Sequence, residues 1–210
     1  MNGSPVTYLT EEEFFAAVAV SRETADKLRL YAELLKKWQA KINLVGPATV
    51  PDLWRRHFLD SAQLFPMLPA GPVLDLGSGA GFPGLVLAIL RGAGEPVHLA
   101  ESDGRKGAFL REAARLTEAP AIVHTSRIET IKPFEISAIT ARALAPVSTL
   151  LRLAEPFLAP TVQCLFLKGE KLEDELTEAA KDWKMTVERI PSESDPHGVI
   201  LSLKEVSRGR

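Results

Sequence analysis

The sequence predicts an open, mostly parallel seven-stranded α/β sheet of the Rossmann-like kind, preceded by a helical extension. Three observations carry that prediction. Beyond residue 70, short apolar runs alternate with helical stretches, the pattern that crossover-connected parallel strands require. The first run leads through the glycine turn Gly77-Ser78-Gly79-Ala80-Gly81 into a helix. The second run ends on an acid, Glu101.

The elements follow in order. Thr10 is a helix N-cap, and Glu13 completes a capping box ahead of Phe14, Phe15 and Val18. Over 21–41, Ala25, Leu28, Ala32, Leu35 and Trp38 make one apolar stripe that runs on to Ile42. The opposite face carries Arg29, Lys36, Lys37 and Lys41, either a solvated face or part of an RNA-facing surface. A shorter helix is expected over 53–67, capped by Asp52, with the cluster Arg55, Arg56 and His57 on it. Pro66, Pro69, Gly71 and Pro72 then mark a linker. The chain thus divides into a helical extension, 1–70, expected on the substrate side, and an α/β domain, 71–210.

Strands are expected at 73–76, 97–100, 121–124, 136–140, 162–167, 185–190 and 199–206. Helices fall at 84–90, 105–116, 146–155 and 171–183, with Ala108, Phe109, Ala113 and Leu116 as the core face of the second. The loop 191–198 makes the last two strands a hairpin, so the sheet ends antiparallel.

Composition excludes several classes. The 210 residues are 46% hydrophobic and 25% charged, ordinary for a folded soluble chain. There is no long uncharged apolar run, so no membrane span is expected. Glu11, Glu12 and Glu13 stand where a secretory leader would carry a basic start, and the expected compartment is the cytoplasm. The net charge of -2 argues mildly against a nonspecific nucleic-acid binder, although a local basic patch remains open. Cys164, the only cysteine, lies in an apolar run and reads as inert core. The four histidines lack metal-ligand spacing, so no metal is expected.

Glycines at a strand-to-helix turn bring backbone close to a ligand, but such turns also serve structure alone. Asp75, at the end of the first strand, is a poor neighbour for the pyrophosphate of a dinucleotide such as NAD. It suits a ligand with an amine and a sulfonium. Glu101 can accept hydrogen bonds from both hydroxyls of a ribose. S-adenosylmethionine meets both conditions, its cationic end near Asp75 and Gly77 and its ribose at Glu101, with Gly79 in the turn. No Gly-Lys-Ser/Thr follows the glycines, and no Gly-x-Ser-x-Gly elbow occurs, which removes P-loop and hydrolase chemistry.

Seven segments in order carry a closer likeness. They are 38–44 (WQAKINL), 56–61 (RHFLDS), 75–84 (DLGSGAGFPG), Glu101-Ser102 with Arg105-Lys106 and Phe109-Leu110, Ser126-Arg127-Ile128-Glu129, Thr140-Ala141-Arg142-Ala143, and Leu167-Lys168-Gly169. With them the chain resembles the bacterial 16S ribosomal RNA guanine-N7 methyltransferases, the glucose-inhibited division protein B family. The resemblance implies a class I S-adenosylmethionine-dependent methyltransferase that modifies N7 of guanine 527 in the 530 loop. It implies donor contacts from Gly77, Phe82, Ile128, Glu129 and Arg142. Arg105 stands where relatives often have lysine, and Thr140 where serine is frequent; both keep the charge or hydroxyl. The partner implied is 16S rRNA or the small ribosomal subunit, with no DNA, no membrane and a monomeric chain.

Guanine N7 is already an unprotonated acceptor on the major-groove edge, so transfer needs positioning and no obligatory general base. Arg142 and Arg127, and less strongly Lys106 and Lys168, are the candidates to position substrate, since all lie at the carboxyl edge of the sheet. His57 reads either as an RNA contact or as a structural partner of Asp60. Phe82 either shields the donor or caps the core. A methyltransferase for another RNA site or a small molecule, and a noncatalytic nucleotide- or RNA-binding module, are the competing functions.

Overall fold

The computed structural model describes residues 8–209; the first seven residues of the helical extension lie outside them. Helix α1 (Glu11–Ala17) begins with the expected capping box: Thr10 Oγ1 accepts from Glu13 N, and Glu13 Oε2 from Thr10 N at 2.8 Å. Helix α2 (Arg22–Gln39) is capped by Ser21 and buries Leu28, Tyr31, Ala32 and Leu35 on one face. Gln39 ends it by reaching forward, its Oε1 accepting from the N–H groups of Leu44 and Val45 at 3.0 Å.

The next segment departs from the expected single helix. A 3₁₀ turn spans Pro47–Asp52, a π-helical turn spans Trp54–Leu59, and α3 is only Asp60–Ala62. Asp52 accepts from Leu9 N at 3.0 Å and pairs with Arg55. The π turn has a physical reason. Its smaller rotation per residue lets the consecutive His57, Phe58 and Leu59 all point inward while Arg56 stays exposed.

Strands β1 (Val73–Leu76), β2 (Val97–Ala100), β3 (Ala121–His124), β4 (Ala138–Arg142), β5 (Gln163–Lys168), β6 (Trp183–Pro191) and β7 (Val199–Arg208) form one sheet in the order β3-β2-β1-β4-β5-β7-β6. Only β7 runs against the direction of the other six strands, so the mostly parallel seven-stranded prediction holds, terminal hairpin included. The fourth strand begins two residues later than expected and ends on Arg142.

The crossover helices are α4 (Gly84–Arg91), α5 (Gly104–Thr117), α6 (Val147–Ala154) and α7 (Leu172–Ala179). Helix α7 is shorter than expected because Trp183 opens β6 instead, buried with the Arg208 guanidinium over its ring. In α5 the buried positions include Leu110 and Ala114, whereas Ala108 and Leu116 are only half-buried.

Two apolar layers enclose the sheet. Phe14, Leu28, Tyr31 and Phe58 of the N-terminal segment share one continuous core with Val73, Val97, Phe109 and Leu110. Leu74, Leu76 and Ile139 face the other layer with Leu151 of α6 and Leu176 of α7. Each large side chain fully removed from water contributes about 1.5–3 kcal/mol. This packing makes residues 8–70 a wall of the α/β domain. Cys164 is buried in the second layer, and burial pushes its thiol up to about 12.

The chain leaves β1 toward β2 and β3, then returns to β4 on the other side of β1. That reversal opens a crevice beyond the carboxyl ends of β1 and β4, the general location of ligands in open α/β sheets.

Candidate functional site

A cavity of about 520 Å³ occupies this crevice, and a second of about 770 Å³ adjoins it beyond the ends of β4 and β5; both are bounded by Arg142, Ala143 and Leu144. The smaller lies over the glycine turn. Gly77 (φ 66°) sits in the left-handed region, and a Cβ there would lie 2.7 Å from Leu144 Cδ1. Glycine is therefore required at 77 on two grounds, conformation and space. Gly79, Glu101, Ile128, Glu129, Lys106 and Arg127 also line this cavity.

Glu101 is well placed for its expected task. Its Oε2 accepts from Gly79 N at 2.8 Å and its Oε1 from Asp103 N at 2.7 Å, so the carboxylate is held between two loops. A carboxylate oxygen has more than one lone-pair site, which leaves acceptor capacity toward the cavity. Ile128 supplies an apolar wall, and Glu129 beside it is exposed. Lys106 lies in the first turn of α5, whose N-cap is Asp103; Arg127 precedes the 3₁₀ turn Ile128–Thr130. A glycine cradle, an acceptor pair and an apolar slot fit a nucleoside with a cationic tail.

Asp75 sits behind the turn, fully buried, and is not part of the cavity wall. Thr140 Oγ1 donates to its Oδ1 at 2.7 Å, and Oδ2 has no hydrogen-bond partner among the described residues. Burial pushes its pKa up to about 6, against the weaker pull of the Ser78 and Thr140 hydroxyls and the Arg142 charge. Any effect of Asp75 on a ligand therefore passes through its field and through the turn above it.

Arg142 is the junction of the site. One guanidinium nitrogen donates to Arg56 O at 2.9 Å and to Asp60 Oδ2 at 3.2 Å; the other donates to His57 Nδ1 at 2.8 Å. Its Cζ lies 5.1 Å from the centre of the Phe82 ring. Since His57 Nδ1 must accept, its proton is on Nε2, which donates to Thr49 Oγ1 at 2.7 Å; that hydroxyl in turn donates to Gly46 O. Burial first, then the Arg142 and Arg56 charges, lower the His57 pKa to about 3 and keep the ring neutral. The expected His57–Asp60 pair does not form, because Arg142 stands between them. Asp60 instead accepts from Ser194 Oγ at 2.6 Å and Gln63 Nε2 at 3.2 Å, tying in the loop between β6 and β7.

Phe82 meets both readings. It is buried against Tyr31, His57 and Phe58, yet still borders the smaller cavity. Lys168 borders the larger cavity, and its ammonium donates to Ala145 O at 3.0 Å and pairs with Glu175. Sequence reasoning brought Gly77, Gly79, Phe82, Glu101, Ile128, Glu129, Lys106, Arg127 and Arg142 to one cavity. It missed Thr49, Ser194, Val45 and Leu144, whose local patterns carry no chemical signal; Leu44 entered only within the segment 38–44, with no site role, and Asp60 was visible but paired with the wrong neighbour. Among the described residues no group of three or more acidic, histidine or cysteine side chains is arranged to hold a metal, and no helix is long and apolar enough to cross a membrane.

Comparisons with known proteins agree with this geometry. Residues 24–197 match the family described as rRNA small subunit methyltransferase G, GidB. The ribosomal RNA small subunit methyltransferase G of Paramagnetospirillum magneticum is 60% identical over 202 residues, 95% of this chain and 97% of that protein. The protein of the same name from Rhodospirillum rubrum is 55% identical, covering 95% of this chain and all of the other. Among solved structures, a putative O-methyltransferase from Klebsiella pneumoniae superposes with a TM-score of 0.60 at 12% identity, covering 93% of this chain and 96% of its own. M. jannaschii TYW2 in complex with AdoMet gives 0.57 at 16% identity, covering 81% and 80%. The chain belongs to the rRNA small subunit methyltransferase G (GidB) family.

Proposed function

We propose that this chain transfers a methyl group from S-adenosylmethionine to N7 of guanine 527 in the 530 loop of 16S ribosomal RNA. The observation that carries the reading is a pair of adjoining cavities along the carboxyl edge of the sheet, one over the glycine turn that suits a nucleoside and the other beyond β4 and β5 beside Arg142. The relatives, ribosomal RNA small subunit methyltransferases by name, support a small-subunit RNA substrate. Held over the Gly77–Gly79 turn and Glu101, the donor would supply an electrophilic methyl on a positively charged sulfur, which the N7 lone pair would take as the C–S electron pair stays with sulfur and the base becomes cationic.

The residues then have distinct tasks. Glu101 accepts from the ribose, the Gly77–Gly79 turn receives the amino-acid end, and Ile128 and Glu129 border the adenine. Lys106 and Arg127 at the cavity wall meet RNA phosphate. Arg142, whose fork is held by Arg56 O, Asp60 and His57, turns its remaining N–H groups at Nε and Nη2 toward the O6 edge of guanine, and Asp60 offsets part of its charge. That offset matters because methylated guanine is cationic, and an unbalanced cation against N7 would raise the barrier. Lone-pair attack needs no proton removed, so the neutral His57 serves as a support for Arg142. Residues 1–70 take the substrate side, the protein acts as a monomer without DNA or membrane, and its compartment is that of the ribosome, the cytoplasm.

The test is transfer of labelled methyl to small subunits and to free 16S RNA that lack the modification, followed by mapping of the labelled base. Label at N7 of guanine 527 is the expected result. Label at another base or none refutes the specificity.

A further inference from the structure

Leu144 stands in the wall shared by the two cavities, and its setting is unusual for a large apolar side chain. It is 40% exposed, on a loop that is pinned from both sides. Ala143 before it is held at φ 51°, a conformation that L residues rarely adopt. On one side the loop is fixed by the Arg142 fork to Arg56, Asp60 and His57. On the other, Lys168 donates to Ala145 O at 3.0 Å and Val147 N donates to Glu175 Oε2 at 3.0 Å. The missing Cβ of Gly77 leaves the space that the leucine methyl groups occupy. The fold thus holds an apolar surface rigidly at the passage between the cavities, where water gains nothing from it.

We propose that Leu144 is the shelf on which the acceptor guanine lies as its N7 edge enters the smaller cavity. This rests on the functional reading above. A purine is apolar on its face and polar on its edge, and the wall matches both: Leu144 meets the face while Arg142, two residues earlier, meets the edge. The larger cavity is roomy enough for an unstacked nucleotide. A base pulled out of its stack loses its neighbours, and a preformed apolar surface replaces them. Strain at Ala143 then has a use, since it aims the following side chain at the passage.

The test compares full-length wild type with Leu144→Ala, Leu144→Gln and Leu144→Met. Donor affinity is read by calorimetry with S-adenosylmethionine, and transfer by steady-state kinetics on unmodified small subunits. Loss of the apolar contact lowers kcat/KM for the subunit about tenfold in the Ala and Gln variants. Donor affinity stays within about twofold, and Met restores transfer to within about threefold of wild type, because its apolar area is similar. Unchanged transfer in Ala and Gln overturns the proposal. A fall in donor affinity parallel to the fall in transfer also overturns it, by assigning Leu144 to the donor's wall. If wild type itself labels no subunit, the functional reading fails and takes this proposal with it, a result distinct from an active wild type with active variants.

Discussion

Replacing Arg142 by alanine removes three hydrogen bonds at once and strands their partners. The guanidinium reaches Arg56 O, Asp60 Oδ2 and His57 Nδ1 at 2.9, 3.2 and 2.8 Å. A hydrogen bond to a charged group contributes about 1.5–3 kcal/mol when buried. The Arg142 and Asp60 side chains keep 18% and 17% of their exposure, so water partly compensates and the lower values apply. Asp60 retains Ser194 and Gln63, which limits the loss further. The sum is about 2–4 kcal/mol, or roughly 4–16 °C in melting temperature for a domain of this size. Transfer falls more than stability does, by about 100-fold or more, because the loop that borders both cavities loses its anchor. Arg142→Lys keeps the charge without the fork and recovers only a small part of the transfer. Calorimetric melting and single-turnover methyl transfer on the same preparations test this. An alanine variant that melts within about 1 °C of wild type and transfers at the wild-type rate would refute the role given to this network.

Three further outcomes follow from the same geometry. Glu101→Gln cannot accept from both Gly79 N and Asp103 N while serving a ribose, so donor affinity drops about tenfold in calorimetry; an unchanged value removes Glu101 from the donor site. Gly84→Ala places a Cβ against Leu99 and 2.6 Å from Asp75 Oδ2, an overpacking of about 1–3 kcal/mol, visible as a melting temperature several degrees lower. The Asp75 pKa is raised in the folded protein, from 3.8 to about 6, so its stabilising contribution is complete below 3.8 and lost as pH rises through about 6. Asp75→Asn therefore gains on wild type between about pH 4 and 7 in melting temperature, and a difference independent of pH contradicts the buried, raised carboxyl. The neutral His57 acts in the opposite sense in wild type: its stabilisation is present above 6.5 and lost as pH falls toward 3.

The glycine turn and Glu101 were readable because each is a local pattern at a strand end, and the strand ends were themselves legible from apolar runs. Ile128, Glu129 and Phe82 were placed by family likeness, since nothing in their own spacing indicates a ligand. Asp75 shows the limit of such reasoning: its position at the end of β1 was right, but the alternation along the strand turns its side chain under α4, not toward the cavity. The partner of Lys168 was equally hidden. A charge at a sheet edge looks available until Glu175, seven residues along the chain and one helix away, is found beside it.

Alternating apolar runs, caps and glycines act between neighbours in the chain, and so the primary structure alone carried the α/β class, the strand count, the antiparallel finish and the donor-side turn. Contacts such as Arg142 with Asp60 and His57, or Leu144 over Gly77, join segments more than 65 residues apart. Their energies depend on distance and burial, which no spacing encodes. Folding alone decided that 53–67 breaks into short turns, that His57 is neutral and serves Arg142, and that two cavities share one wall.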